Sequence, residues 1–314
     1  MLKLILNRVL IAIPTLLIVS LFVFALQHAL PGDPFLVMAG EERDPESIAR
    51  LRAIYRLDDP IVVQYFAWLG QVVQGEFGRS LRTGEPVLGL ILQKLPVTLQ
   101  LAAASMIVAL GIGLPAGIIA AVRKGTSVDY AASAVALSGL SIPNFWLGIV
   151  MILVFAVELR WLPASGYVPF FSDPIGAIET LIMPAFVLGT GLAAFIMRHT
   201  RSAMLEVLRS DYVRTARAKG LDESVVINKH ALRNALIPVI TLSTILFGEL
   251  LAGAVLTEQV FTIPGFGKLI VDAVFNRDYG VVQGVVLCTA IGFILMNLVA
   301  DLLYILVNPR LRGR

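Results

Sequence analysis

A short polar stretch, Asp211 to Asp222, stands between two long apolar segments and carries five charged residues. Its first residues fit a helix that ends at Gly220, because glycine readily takes the left-handed conformation that terminates helices. Asp222 has the residue type of an N-cap for a second helix, expected to run to Leu232. Two polar helices joined in this way predict a hairpin with an ordered surface in water, suited to docking a soluble protein.

The charges of the wider segment, residues 198–235, leave a second interpretation open. The segment has eight basic and four acidic residues, and a basic surface beside a membrane also attracts anionic lipid headgroups. At the tip, however, Asp211, Asp222 and Glu223 interleave with the basic residues. That mixture favours a protein groove over a plane of lipid headgroups.

Residues that could bind and hydrolyse a nucleotide do not form a complete motif. Gly265-Phe-Gly-Lys268 is similar to the end of a phosphate-binding loop, but Leu269 replaces the required Ser or Thr and Thr262 replaces the first glycine. The single cysteine, Cys288, and three histidines have no metal-ligand spacing. We therefore expect a non-catalytic chain without a metal site.

The elements that position the polar stretch are apolar. The chain is 57% hydrophobic and 15% charged, whereas soluble domains are about 25% charged. This composition predicts an all-α integral membrane protein, since continuous apolar runs without alternation favour helices over a barrel. Six runs have the length of about 20 residues that a bilayer requires: about Val9 to Ala29, Val97 to Val122, Ala131 to Val157, Thr180 to Met197, Ile237 to Leu256 and Val281 to Val307.

The distribution of Lys and Arg predicts that both termini are cytoplasmic. With the N-terminus inside, the inner segments carry 15 of these residues and the short outer loops carry three, as the positive-inside rule requires. The first span is too long for a cleaved signal peptide, so we expect a retained anchor. Three parts result: an N-terminal anchor helix (1–29), an extracytoplasmic helical insertion (30–96), and a core domain (97–314) with the hairpin at 198–235.

The insertion between the first two spans is predicted to contain two amphipathic helices. Asp44-Pro45 is typical of a helix start, and a second apolar face begins after Pro60. These helices could only cap the outer end of the spans, or they could also receive an extracytoplasmic partner.

Polar and small residues within the spans have structural and functional interpretations. Charges in a membrane are costly and often functional. Glu249, near the middle of the fifth span, could line a pathway or bond a neighbouring helix, whereas the position of Asp301 favours a structural contact. Gly113 and Gly117 form a small-xxx-small pair typical of close helix packing. Three of the spans are expected to kink at a proline within them: Pro115, Pro143 and Pro184.

Several short motifs along the chain are specific enough to indicate a family. They are Leu30-Pro-Gly-Asp-Pro34, Gly78-Arg-Ser-Leu-Arg-Thr-Gly84, Gly139-Leu-Ser-Ile-Pro-Asn-Phe-Trp146, Trp161-Leu-Pro-Ala-Ser-Gly166, Asp211-Tyr-Val-Arg-Thr-Ala-Arg-Ala-Lys-Gly220, His230-Ala-Leu-Arg-Asn-Ala-Leu-Ile-Pro238, Phe261-Thr-Ile-Pro-Gly-Phe-Gly267 and Asn308-Pro-Arg310. Over essentially its whole length the chain resembles the permease subunits of binding-protein-dependent ABC importers, specifically the dipeptide/oligopeptide group.

The polar hairpin is similar to the permease signature E-A-A-x3-G-x9-I-x-L-P. Arg214-Thr215-Ala216 stands in place of Glu-Ala-Ala and His230-Ala-Leu-Arg233 in place of I-x-L-P, departures that are typical of the peptide-permease branch. The resemblance implies these ATPase-coupling residues: Arg214, Thr215, Ala216, Arg217, Ala218, Lys219, Gly220, Leu221, Asp222 and Glu223. The candidate pathway or intramembrane polar residues are Glu249, Asp301, Ser141 and Asn144.

The resemblance also implies partners and a location. A subunit of this kind lies in the bacterial cytoplasmic (inner) membrane, pairs with a homologous second permease, and works with two ABC ATPase subunits and an extracytoplasmic solute-binding protein. ATP and Mg²⁺ are bound by the ATPases, and we expect no cofactor and no nucleic acid on this chain. The implied function is ATP-driven uptake of di- or oligopeptides.

Other functions stay open at this point. Glutathione, nickel chelates, opines or sugars are carried by the same importer class. A stand-alone secondary transporter that uses Glu249 as an ion site is an alternative from another class, although no inverted repeat supports it. A membrane scaffold that only tethers soluble partners is a weaker alternative.

Overall fold

The computed structural model describes residues 2–29 and 59–307, and these are almost entirely helical. Within these ranges the only β-type pairing is an isolated bridge between Arg79 and Pro86. The helices are numbered in chain order: α1 (Leu2–Ala29), α2 (Ile61–Val73), α3 (Val87–Val122), α4 (Ser127–Ser141), α5 (Asn144–Glu158), α6 (Pro174–Leu208), α7 (Asp211–Ala218), α8 (Leu232–Gly253), α9 (Val255–Val260), α10 (Phe266–Phe275) and α11 (Tyr279–Val307).

Four of the described helices are long and apolar enough to cross a bilayer. They are α3, α6, α11 and a helix that begins at Glu223 and continues through α8 to Leu251. The consecutive helices α4 and α5 pass the same test only together, which raises the number to five. Because α1 is 28 residues long but its described apolar stretch, Leu10–Ala25, is shorter, the count of six spans stays a prediction.

The third predicted span is broken rather than kinked. Helices α4 and α5 meet at an angle of 94°, and Ile142 and Pro143 between them have extended backbone with ψ of 122° and 131°. Proline has no N–H to donate and pushes the preceding residue out of helical conformation. In contrast, Pro184 lies inside α6 without ending it.

The second predicted span is longer than the apolar pattern indicated. Helix α3 begins at Val87 instead of Val97, so the end of the predicted 30–96 insertion is part of a long helix. Val87 and Ile91 are buried against Val281 and Val285 of α11. The helix predicted after Pro60 is present as α2, whereas the one predicted at Asp44 lies outside the described residues.

The chain divides into two compact units, one of residues 1–96 with 265–294 and the other of residues 97–264 with 295–314. In the first unit, α2 packs on α1. The Tyr65 and Ser20 hydroxyls are 2.9 Å apart, and the ring of Phe24 lies 5.4 Å from Tyr65 and 5.6 Å from Trp68.

The second unit has a core in which α3 and α6 approach closely through glycine. A Cβ atom on Gly113 would lie 2.7 Å from the Ala193 carbonyl oxygen, and one on Gly117 would lie 2.6 Å from Thr200 Cβ. The small-xxx-small prediction is therefore confirmed. This contact fixes the position of α6, which leads directly into the polar hairpin.

Candidate functional site

The polar hairpin, residues 198–235, is built from the end of α6, from α7 and from the helix that starts at Glu223. Gly220 ends α7 with φ of +77°, and its N–H donates to the Arg217 carbonyl at 2.9 Å. The Asp222 carboxylate then accepts from the Ser224 N–H at 2.8 Å, which caps the next helix. These bonds from Ser224 hold the pKa of Asp222 below its usual value. Both capping predictions are confirmed.

One ion pair closes the hairpin across its turn. Arg217 donates to the Glu223 carboxylate through Nε at 3.0 Å and Nη2 at 2.6 Å, a two-bond geometry that favours a single orientation. The pair raises the pKa of Arg217. Since 41% of the Arg217 side chain and 53% of the Glu223 side chain are exposed, water screens the attraction, and we expect it to contribute about 1 kcal/mol or less.

A small apolar cluster holds α7 against the end of α6. Val213, Ala216 and Val226 are buried together, with Val207 and Leu208 packed on them. The hairpin thus has its own core, and helix packing of this kind supplies most of the stability of a short helix.

A polar bond ties α7 to α8 on the other side. The Asn234 amide donates to the Tyr212 hydroxyl at 2.7 Å. Nearer the base, Ala231 and Ala235 pack against Met204 of α6 and Ala121 of α3. The base of the hairpin is therefore packed against α3, within the second unit.

The sequence predicts that the second helix of the hairpin runs to Leu232, but in the structure the helix does not end there. It starts at Glu223, passes through π-helical turns from Val226 to Ala231, and continues into α8. Residues 226–236 contain no glycine or proline to stop it. The tip of the hairpin and a candidate membrane span are consequently one continuous rod.

The predicted coupling residues fall into three groups. Ala216 is buried, and Arg217 and Glu223 bond to each other. The remaining residues are exposed on the tip: Arg214, Thr215, Ala218, Lys219, Gly220, Leu221 and Asp222. The exposed group combines cations with one large apolar side chain, Leu221, of which 40% is exposed. Such a surface can contact a protein through both charge and apolar burial, and its coupling role stays a prediction.

The predicted pathway residues lie in different places. Ser141 ends α4 and Asn144 begins α5, so they flank the break between these helices. The Ser141 hydroxyl donates to the Leu137 carbonyl of its own helix at 3.0 Å. Glu249 is exposed on α8, whereas Asp301 is half-buried on α11. Ser141 and Asn144 are near each other because they are close in sequence, Glu249 and Asp301 lie on other helices, and the pathway role of all four residues stays a prediction.

Sequence reasoning missed a buried acid, Glu258 of α9. Its side chain is completely buried and accepts a hydrogen bond from the Thr98 hydroxyl at 2.6 Å. The neighbouring Gln259 has a buried amide nitrogen that has no hydrogen-bond partner in the described structure. The one available signal was an acid placed just beyond the predicted end of the fifth span, at Leu256.

Sequence reasoning also missed an ion pair between the buried Asp129 of α4 and the half-buried Arg201 of α6. Arg201 donates through Nε at 2.7 Å and Nη2 at 2.8 Å to the two carboxylate oxygens. The partners are separated by 72 residues, and no local pattern connects them.

The segment Gly265 to Lys268, which is similar in sequence to the end of a phosphate-binding loop, is the start of a packed helix. Gly265 precedes α10, and both Phe266 and Gly267 are buried. A phosphate-binding loop instead exposes backbone N–H groups to its ligand.

Two family models match the chain. "Binding-protein-dependent transport system inner membrane component" matches residues 113–313, and the N-terminal region of binding-protein-dependent transport system membrane components matches residues 1–102. The first match includes the polar hairpin and the break between α4 and α5.

Curated relatives are similar over the full length. The di/tripeptide transport system permease protein DppB of Pseudomonas aeruginosa is 46% identical, with 99% of each chain covered. The oligopeptide transport system permease protein AppB of Bacillus subtilis is 44% identical, with 98% of each covered. The dipeptide transport system permease protein DppB of Escherichia coli K12 is 44% identical, with 100% of each covered.

A solved structure has the same fold. A chain of the MetNI methionine ABC transporter, in an inward-facing conformation, is 22% identical with a TM-score of 0.58, over 70% of this chain and 97% of that one. The chain is a multi-pass protein of the inner membrane, and it belongs to the binding-protein-dependent transport system inner membrane components, within the dipeptide/oligopeptide permease group of ABC importers.

Proposed function

We propose that this chain is the translocation subunit of an ABC importer that takes up di- or oligopeptides, driven by ATP hydrolysis on separate subunits. The observation that carries the proposal is the polar hairpin. It has an exposed tip with Arg214 and Lys219, a core of its own, and a helix that runs unbroken from Glu223 into the membrane segment. When a soluble protein displaces a tip of this kind, the attached helix carries the displacement into the bilayer.

The topology that fits this function has six spans with both termini cytoplasmic. It places the hairpin on the same side as cellular ATP, and it places the segment before α3 on the outer side. We propose that two ATPase subunits, which bind ATP and Mg²⁺, engage one hairpin each on this chain and on a homologous second permease. A solute-binding protein delivers substrate to the outer side.

Movement of the hairpin then changes access to the pathway. Because the rod from Glu223 to Leu251 has no break, rotation of its hairpin end, at Glu223, tilts the whole helix. Rigid-body rocking of this type is a common route of alternating access. The chain contributes the moving parts, and ATP hydrolysis takes place in the partners.

The proposed substrate class rests on the relatives. Those described above are named as permeases for dipeptides, tripeptides and oligopeptides. Within such a system the binding protein sets much of the selectivity, so uptake of defined peptides by the assembled transporter is the appropriate assay.

The test uses the complete transporter in proteoliposomes, with its binding protein, a labelled dipeptide and internal ATP. Replacing Arg214 and Lys219 together by Glu should reduce recovery of the ATPase subunits and peptide uptake about tenfold or more, since like charges across an interface cost several kcal/mol. Arg123→Glu, a charge reversal at an exposed residue outside the tip, is the control and should retain both. Unchanged ATPase recovery and uptake in the double variant would reject docking at this tip.

A further inference from the structure

An ion pair between the buried Asp129 and the half-buried Arg201 joins the polar hairpin to the broken helix pair α4–α5. Asp129 is only 3% exposed, although it is charged and stands in the first turn of α4. Both of its oxygens accept from Arg201, and Oδ2 also accepts from the Gly125 N–H at 2.9 Å. A carboxylate with three donors in a buried position has one strongly preferred geometry.

Arg201 stands at the base of the hairpin, on the last turns of α6. Seven residues later α6 ends at Leu208, and Val207 and Leu208 pack on Val213 and Ala216 of α7. A displacement of α7 therefore reaches Arg201 through packed side chains and one continuous helix.

The pair also fixes the turn that joins α3 to α4. Gly125 has φ of +77°, and the Thr126 hydroxyl donates to the Arg123 carbonyl at 2.7 Å. The Asp129 carboxylate accepts from the Gly125 N–H within this turn and from Arg201 of α6. One side chain thus ties three helices of the second unit.

The contact between α4 and α6 continues away from the ion pair. A Cβ atom on Gly139 would lie 3.5 Å from the Thr190 carbonyl oxygen, so the helices stay adjacent for most of α4. Asp129 and Gly139 are ten residues apart, and Arg201 and Thr190 are eleven. The two helices therefore run antiparallel along matched lengths of roughly 15 Å, up to the break flanked by Ser141 and Asn144.

We infer that Asp129 is a positioning residue that makes α4 move with the hairpin-bearing helix α6, so that motion of the hairpin is delivered to the break between α4 and α5. This inference rests on the proposed function. A purely stabilising role makes a different prediction, because the pair is largely removed from water, with 4% of the Asp129 and 30% of the Arg201 side chain exposed, and replacing both partners of such a pair with apolar residues is often neutral or stabilising for the fold.

The experiment measures peptide transported per ATP hydrolysed by the reconstituted transporter. Asp129→Asn keeps the shape of the side chain and removes its charge, so we expect assembled transporter with a transport-to-ATP ratio lowered about fivefold or more. The double variant Asp129→Leu with Arg201→Met should have the thermal stability of the wild type, but its transport-to-ATP ratio should stay lowered. Glu179→Gln, which removes an exposed carboxylate from the same α6, is the matched control and should behave as wild type.

The outcomes are distinguishable. A normal ratio in the Leu/Met double variant, or in Asp129→Asn, overturns the positioning role and leaves a structural ion pair. If Asp129→Asn does not assemble, the double variant decides between the two. Absence of ATP-dependent uptake by the wild-type transporter rejects the proposed function itself, independently of Asp129.

Discussion

At the scale of single residues, side chains of the polar hairpin divide into those that hold it together and those that face outward. Arg217, Glu223 and Ala216 are used internally, by an ion pair and by burial. Arg214 is 72% exposed, and its nearest carboxylate, that of Asp211, is 3.5 Å away on an almost fully exposed side chain. Docking energy is therefore expected from Arg214, Lys219 and Leu221 rather than from the internal pair.

The turn at Gly220 gives the first prediction. Gly220→Ala should weaken recovery of the ATPase subunits, because a non-glycine residue at φ of +77° costs about 1–2 kcal/mol and shifts the turn. Copurification of the ATPases with the tagged permease measures the effect. Gly75→Ala is the control, since Gly75 also has positive φ and open space but lies between α2 and α3. Equal recovery from both variants would contradict a special role of the hairpin turn.

The residue types at the turn made it predictable from the sequence, whereas bonded pairs of residues far apart in the sequence were not predictable. Gly220 and Asp222 have residue types that terminate and cap helices wherever they occur. The bonds from Arg201 to Asp129 and from Thr98 to Glu258 join positions 72 and 160 residues apart. Such pairs depend on how helices pack, which periodicity and composition do not specify.

At the scale of elements, the spacing between α3 and α6 is set by glycines. The second prediction is that Gly117→Ala destabilises the permease by about 1–3 kcal/mol through overpacking, because the new Cβ would lie 2.6 Å from Thr200 Cβ and 2.7 Å from the Met197 carbonyl oxygen. The thermal unfolding midpoint of the purified protein should fall. Gly111→Ala on the same helix has nothing within 4 Å and should be neutral or stabilising. A lower midpoint for Gly111→Ala only would contradict the contact.

Long apolar runs predicted α6 and α11, but the positions of prolines did not predict where a helix breaks. Pro143 lies at the 94° break, whereas Pro184 is buried within an unbroken helix. The difference depends on whether neighbouring groups support the backbone around the proline, so the residue type alone does not decide it. The start of α3 at Val87 has a similar cause, since burial against α11 extends the helix beyond the apolar pattern.

At the scale of the whole molecule, the six-span topology requires the turn between α3 and α4 to lie on the same side of the membrane as the hairpin, opposite the loop after α5. The third prediction uses single cysteines in a Cys288→Ser background. Lys124→Cys should react with a membrane-impermeant maleimide only after the membrane is opened, and Phe171→Cys should react in intact cells. Both positions are exposed. Labelling of both from the same side would reject the six-span topology.

The most direct measurement is site-specific photo-cross-linking in the assembled transporter. A photoreactive amino acid replaces Lys219 at the hairpin tip or, as the control, Phe171, whose side chain is 100% exposed in the loop between α5 and α6. The account predicts a cross-link from position 219 to an ATPase subunit and none from position 171. ATPase cross-links from position 171 with none from position 219 would contradict the claim that the polar hairpin is the docking site.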